Sequence, residues 1–378
     1  MIFLRVGAQQ SCMRYRDTHG VELGTVAGMD RDHFTAALHA DDALAELPDV
    51  APALRPSTTF ELEDGRRVYQ RMSHETTERL EAVLGALEGG SAVAYPSGMA
   101  AVAAVLRHLR PRQISIPDEV YHGVVDFVQA EADRGSWRLV DPDQLGPGDV
   151  RWIETPSNPR CLITDLAAGA AEASKRGVVT VVDATFATPI LQETLGLGID
   201  FSVHATTKFI AGHSDAMGGV VVTRDVAAAE QLLGNRTIDG AIPGSLESWL
   251  TLRGVRTLPL RVNRQSDTAM EVATYLSDRG GTVWYPGLET HPGHDVARRQ
   301  MTKYGGMLAL DVDYAETAAR IIADLEIFRN ATSLGGVESL AEHRLRSDPS
   351  APPGLIRLSI GLESPQTLID DLERALSA

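Results

Sequence analysis

The chain of 378 residues carries 35 lysine and arginine residues against 51 aspartate and glutamate, a formal net charge of −16. That length accommodates about two domains and a large buried core. With 43% apolar and 23% charged residues, wholesale disorder is excluded. The acidic balance excludes a nucleic-acid binder, because no basic footprint remains to neutralise phosphates. Two cysteines, Cys12 and Cys161, cannot build a disulfide framework and point to a reducing compartment. Only Lys175, Lys208 and Lys303 are lysines, so chemistry that needs a primary amine has three candidates. No run reaches the roughly 18 apolar residues of a membrane helix. The start, MIFLRVGAQQSCMRYRD, lacks the charged leader and long apolar run of a signal peptide, and a cytoplasmic protein is expected.

In chain order, residues 1–60 are irregular, end in APALRPSTTF, and read as an arm or cap. ETTERLEAVLGALEGG (75–90) has helical spacing and stops at a glycine pair. SAVAY (91–95) is a short strand, PSGMAAVAAVLRHL (96–109) an alanine-rich helix, QISIP (113–117) and VRWIE (150–154) further strands. TDLAAGAAEASKRG (164–177) is a helix between an N-cap and a glycine stop. VVTVVDAT (178–185), FSVHAT (201–206) and GGVVVT (218–223) are β-rich runs bounded by turns. Continuous apolar strands alternating with helices predict a mainly parallel sheet covered on both faces, with the ligand beyond the strands' carboxyl ends. From about 259 the texture changes to fewer buried strands and arginine-rich amphipathic helix, ending in SPQTLIDDLERALSA (364–378). The division expected is an arm at 1–60, a large domain at 61–258 and an α+β domain at 259–378.

Lys208 follows an apolar strand and precedes a glycine-rich turn and another strand. A lysine there is disfavoured unless bonded, and a Schiff base removes the isolated ammonium while supplying covalent catalysis. Lys175, at a helix C-terminus, and Lys303, before a turn, fit a solvated surface. Asp183 ends a very apolar strand, which is costly unless it is paired. It either caps the following turn or faces a buried cation such as a protonated pyridine nitrogen. PSGMAA places backbone amides around Gly98 and Met99 at a helix start, an anion site independent of net charge, or simply a turn. Thr207, Tyr69 and Arg71 can add contacts to the same phosphate. Tyr121 is either a half-buried tyrosine or one that stacks on a ring. Asn158 is a turn residue or a hydrogen-bond partner for a cofactor oxygen. Together these residues describe a pyridoxal phosphate site.

The motifs YPSGMAA, ETPSNP, VDATFATP, TKFIAGHSDAMGG, LRGVRTLPLR, YPGLETHPGH, SLGGVESL and RLSIGLE, in that order, carry a resemblance. From about Thr58 to Ala378 the chain resembles the Cys/Met-metabolism branch of fold-type I pyridoxal-phosphate enzymes, which includes cystathionine γ-synthase, cystathionine γ-lyase and methionine γ-lyase. The resemblance implies an α/β fold with a large, mostly parallel seven-stranded sheet and a smaller α+β C-terminal domain. It implies pyridoxal 5'-phosphate on Lys208, which also shuttles protons, with Asp183 at the pyridinium and Tyr121 stacked on the ring and passing a proton to the leaving group. Gly98, Met99 and Thr207 become phosphate ligands. Tyr69 and Arg71 reach the phosphate of a neighbouring subunit, implying a homodimer at least, with a dimer of dimers expected. Arg357 becomes the clamp for the substrate α-carboxylate, with Ser333, Thr332 and Asn158 as further contacts; no metal is implied.

The departures fall mostly around the substrate pocket. Ala205-Thr206-Thr207-Lys208 stands for Ser-Ala-Thr-Lys, so one phosphate hydroxyl is missing or supplied by Thr206. His74-Glu75-Thr76 replaces Asn-Pro-Thr, and Tyr121-His122-Gly123 lacks the cysteine of methionine γ-lyases. Thr332 stands where cystathionine-handling relatives often carry glutamate, and RLRSDPSAPPG replaces a Met-Thr-His segment. The expected activity is γ-elimination on a sulfur amino acid, methionine or cystathionine, giving a thiol, ammonia and 2-oxobutanoate. The alternative is γ-replacement on an O-acylhomoserine, and a remoter one is a non-catalytic regulator on the same fold. A nicotinamide-dependent dehydrogenase is disfavoured, because no G-x-G-x-x-G follows the first strand.

Overall fold

The computed structural model describes residues 32–62 and 67–377. The expected arm therefore lies outside the described residues from 1 to 31. Seven strands build the larger sheet: β1 (Ser91–Tyr95), β2 (Gln113–Ser115), β3 (Arg138–Leu139), β4 (Val150–Glu154), β5 (Val179–Asp183), β6 (Phe201–His204) and β7 (Gly219–Thr223). Their spatial order is β1-β7-β6-β5-β4-β2-β3. From β6 through β3 every neighbouring pair is parallel, and β7 runs antiparallel to both β1 and β6. The apolar runs read from the sequence are strands buried on both faces: Ala92 and Ala94 of β1 enter one core, Val93 and Tyr95 the other.

Local signals fix the helices that flank this sheet. Glu75–Glu88 ends at Gly89 in the left-handed region (φ 77°), a conformation that glycine adopts without a Cβ penalty. Gly98–Leu109 starts at Ser97, whose hydroxyl accepts from the Ala100 amide at 3.1 Å. Leu166–Lys175 starts at Asp165, which accepts from Ala168 N at 3.0 Å. A helix at His122–Asp133, with only Val124 and Val128 fully buried, is added to those read from the sequence.

The second sheet comprises β8 (Thr282–Trp284), β9 (Met307–Asp311), β10 (Arg329–Asn330), β11 (Leu340–His343) and β12 (Leu355–Ser359), ordered β10-β11-β12-β9-β8. All of β12 and most of β9 and β11 are buried, so this region holds more buried strand than its sequence texture suggested. Leu258–Asp278, a 21-residue helix, joins the two parts. Leu258 and Val262 enter the core of the large sheet, whereas Ala269, Val272, Ala273 and Leu276 enter that of the small sheet. The helix thus fixes the second sheet against the carboxyl ends of the first. Among the described residues no helix is long and apolar enough to cross a membrane.

Candidate active site

Strands β4, β5 and β6 end side by side, and the charged residues gather where their apolar runs stop. Glu154 pairs in register with Asp183 across β4 and β5. Burial raises the carboxyls of both above the usual range, Glu154 well above it, and the Asp183 charge pushes Glu154 further. Asp183 Oδ1 accepts from the Thr185 amide at 2.9 Å, so it does cap the turn. It also faces the positive charge of Lys208, which opposes part of the upward shift. Glu154 ties two site loops together, accepting from Tyr121 N at 2.8 Å and from Asn158 N at 3.0 Å.

Lys208 lies four residues past the end of β6, half-buried, with Nζ donating to Ser333 Oγ at 2.8 Å. Burial lowers its pKa and Arg357 lowers it further, which favours a neutral, nucleophilic amine. Ser333 occupies the left-handed region at φ 75°, a strained conformation for a serine. Its carbonyl accepts from Arg357 Nη2 at 2.8 Å, so one residue holds both the amine and the guanidinium. Arg357 Nη1 donates to Asn158 Oδ1 at 2.9 Å, and Nη2 also bonds Glu342. Desolvation brings the Arg357 pKa down to about 10. Thr332 is exposed beside Ser333.

The start of Gly98–Leu109 abuts the residue after β6, since a Cβ added at Gly98 would lie 2.8 Å from Ala205 Cβ. Thr207 Oγ1 donates to Gly218 O at 3.2 Å and accepts from Gly218 N at 3.0 Å. Thr206 is buried with its hydroxyl against Gly218, so the residue facing the helix start is Ala205, which has no hydroxyl. Met99 and Tyr121 converge on Gly123: a Cβ there would lie 3.2 Å from Met99 Sδ and 2.6 Å from Tyr121 Cε1. Tyr121 is 38% exposed beside this helix start, its ring centroid 4.4 Å from that of His122. Tyr69 and Arg71 sit elsewhere on the surface, where Arg71 Nη1 donates to Thr237 O at 2.9 Å.

A lysine with a lowered pKa, a buried carboxyl pair, a helix start and a part-exposed tyrosine therefore gather beyond the carboxyl ends of the central strands β4, β5 and β6. The sequence profile of the Cys/Met metabolism PLP-dependent enzymes matches residues 35–377. The chain belongs to that family. A cystathionine gamma-synthase of Mycobacterium tuberculosis is 41% identical over 332 residues, covering 82% of this chain and 86% of that protein. A cystathionine beta-lyase of Coxiella burnetii is 38% identical over 337 residues, 82% and 87% of the two chains. The crystal structure of a cystathionine gamma-lyase from Micromonospora echinospora superposes with a TM-score of 0.85 at 36% identity, covering 93% of this chain and all of that one. The fold is that of fold-type I, and the family's cofactor is pyridoxal 5'-phosphate.

The residues present fit that cofactor. The helix-start amides suit its phosphate, Asp183 its ring nitrogen, Tyr121 its ring face and Lys208 its aldehyde. Two site-building residues escaped sequence reasoning. Glu154 ends a strand read only as a strand. Arg261, on the joining helix, is buried and donates to Phe209 O at 2.7 Å, Ile210 O at 3.1 Å and Gly254 O at 2.8 Å. It clamps the turn that carries Lys208, at the cost of desolvation that lowers its pKa to about 10.

Proposed function

We propose that the protein catalyses γ-elimination on a sulfur amino acid of the methionine or cystathionine type, releasing a thiol, ammonia and 2-oxobutanoate. The observation that carries this reading is the Lys208–Ser333–Arg357 linkage, with Nζ 2.8 Å from Ser333 Oγ and Arg357 Nη2 2.8 Å from Ser333 O. A carboxylate docked on Arg357 brings the adjoining α-carbon beside the Lys208 amine, where that amine takes and returns protons. Pyridoxal phosphate, when bound, supplies an electron sink for negative charge at that carbon. Asp183 holds the charge partner of the ring nitrogen, and Tyr121 covers the ring and stands next to the departing side chain. Thr332 brings no charge to the mouth, which suits an uncharged thioether chain.

γ-Replacement on an O-acylhomoserine is the second reading, favoured by the 41% identity to a cystathionine gamma-synthase. Both reactions use the same residues at the α-carbon and part only after the γ-substituent has left, when a thiol either adds at the γ-carbon or does not. Incubation of the purified holoenzyme with methionine, cystathionine or O-acetylhomoserine separates them through 2-oxobutanoate. Keto acid from the thioethers supports elimination; its absence, with cysteine incorporated into O-acetylhomoserine, overturns it. Borohydride treatment that fails to fix the cofactor at Lys208 overturns both and favours a regulator.

A second copy of the chain completes the proposal. Exposed Leu47, Val50, Leu54, Tyr69, Ile238 and Leu246 leave apolar area uncovered in one chain. Tyr69 and Arg71 would then complete a neighbour's phosphate cup. Sedimentation showing a monomeric, fully active enzyme would refute this.

A further inference from the structure

The segment after β11 places a second cation beside Arg357, the proposed carboxylate clamp. Strand β11 runs directly into Arg344–Arg346. Glu342 stands opposite Arg357 in the β11–β12 ladder, and its Oε2 accepts from Arg357 Nη2. The same oxygen accepts from Arg344 Nη1 at 3.2 Å, and Oε1 accepts from Ser347 Oγ at 2.6 Å. All three charged side chains are buried, with 4% of Arg357, 5% of Glu342 and 6% of Arg344 exposed. Arg344 Nε is buried without a hydrogen-bond partner among the described residues.

Charge counting gives this arrangement its meaning. Arg357 and Glu342 alone form a neutral pair that sets a carboxylate beside the place where a substrate carboxylate docks, and like charges held that close repel strongly at low dielectric. With Arg344 the cluster carries two guanidinium groups and one carboxylate, so it is short of one anion. We propose that Arg344 is a positioning residue for substrate binding: it holds Glu342 and offsets its charge, leaving Arg357 one unit of positive charge for one carboxylate. Arg344 acts through Glu342 and on affinity, and Ser347 fixes the other carboxylate oxygen so that Glu342 does not swing toward the substrate. The inference rests on the proposed docking of the α-carboxylate on Arg357.

The test uses the holoenzyme and two reagents that condense with the cofactor's aldehyde carbon, free the Lys208 amine and change the visible absorbance. Aminooxyacetate carries a carboxylate and O-methylhydroxylamine does not. Arg344→Met is expected to slow capture by aminooxyacetate roughly 30-fold, the effect of unbalancing a buried charge cluster, and to leave O-methylhydroxylamine unchanged. Arg344→Lys keeps the charge and should keep the preference; Glu342→Gln with Arg344→Met should restore it. Equal effects on both reagents, no effect on either, or no recovery in the double variant overturn the proposal while docking on Arg357 stands. Should Arg344→Met yield no holoenzyme, the double variant decides, because loss of its preference for aminooxyacetate also overturns the proposal. If Arg357→Met retains the full preference, docking on Arg357 fails and the role of Arg344 fails with it.

Discussion

Replacing Gly98 by alanine tests whether the helix start and the strand end form one rigid phosphate cup. The added methyl lies 2.8 Å from Ala205 Cβ and 3.2 Å from Ala205 Cα. Carbon atoms settle at about 3.5–4.0 Å, so the nearer overlap is close to 1 Å. Neither partner is the free end of a flexible side chain, and the helix must therefore move away from the residue after β6. Overpacking of this kind costs about 1–3 kcal/mol. If the whole cost falls on the amides of Gly98 and Met99 proposed to meet the phosphate, cofactor affinity drops about 5- to 150-fold. Titrating the apoenzyme with pyridoxal phosphate and following the visible band measures the drop, and apoenzyme melting measures the cost that falls on folding. Ala205→Gly in the same chain removes the nearer atom and leaves the 3.2 Å contact, so partial recovery is expected. Wild-type affinity and unchanged melting in Gly98→Ala, or a double variant no better than the single one, would refute the reasoning.

Arg357→Met should raise the substrate KM roughly 100-fold through loss of a buried charge contact, with a smaller change in kcat. Steady-state kinetics decide, and a fall in kcat at constant KM would remove Arg357 from carboxylate binding. Glu154 keeps its proton to higher pH when folded than when unfolded, where its ordinary value is 4.5. Its contribution to stability is thus fully present below that value and lost as pH rises through the folded value. Glu154→Gln should therefore gain melting temperature on the wild-type apoenzyme as pH rises from acid to mildly alkaline, and a difference independent of pH would contradict the shift. Asp41, fully buried, accepts from Arg79 Nε at 2.7 Å and Arg256 Nη2 at 3.1 Å. Asp41→Ala takes the shared carboxylate from two guanidinium groups, leaving Arg79 with Glu75 at 3.5 Å and Arg256 with the Leu38 carbonyl, and should destabilise the full chain by about 3 kcal/mol in denaturant melts.

The large sheet was legible in the sequence because a parallel sheet covered on both faces requires uninterrupted apolar runs, and SAVAY, VTVVD and GVVVT supply them. Lys208 and Asp183 stood out for the same reason, as charges set against runs that contain none. The second sheet was harder to read because its strands carry the site: Arg357 in the middle of β12 and Glu342 in β11 interrupt the apolar pattern, although both side chains are buried. Glu154 resembled any polar residue at a strand end until its register with Asp183 was known. Arg261 lay hidden among the arginines of an amphipathic helix, and only three carbonyl contacts distinguish it from a solvated neighbour.

The large sheet contributes buried carboxyls to the site, and the small sheet a cluster of two guanidinium groups and one carboxylate. Asp183 and Glu154 end strands of the large sheet, whereas Arg357 lies on the small sheet and Arg344 follows one of its strands. Lys208 lies between them and responds to both, its amine favoured in the charged form by Asp183 and Glu342 and disfavoured by Arg357. On the proposed docking, a ligand with a basic ring nitrogen at one end and a carboxylate at the other would be held in one orientation, nitrogen toward the large sheet and carboxylate toward the small one. The overall charge of −16 has no bearing on this, because the proposed anion sites would be made of placed guanidinium groups and helix-start amides. Separating the charges onto two sheets also makes their spacing depend on the Leu258–Asp278 helix, which enters both cores and, through Arg261, grips the turn that bears Lys208. The proposed proton transfer at the α-carbon needs the lysine within reach of a substrate anchored on the other sheet, and under that proposal the helix that joins the two parts helps set the reaction geometry.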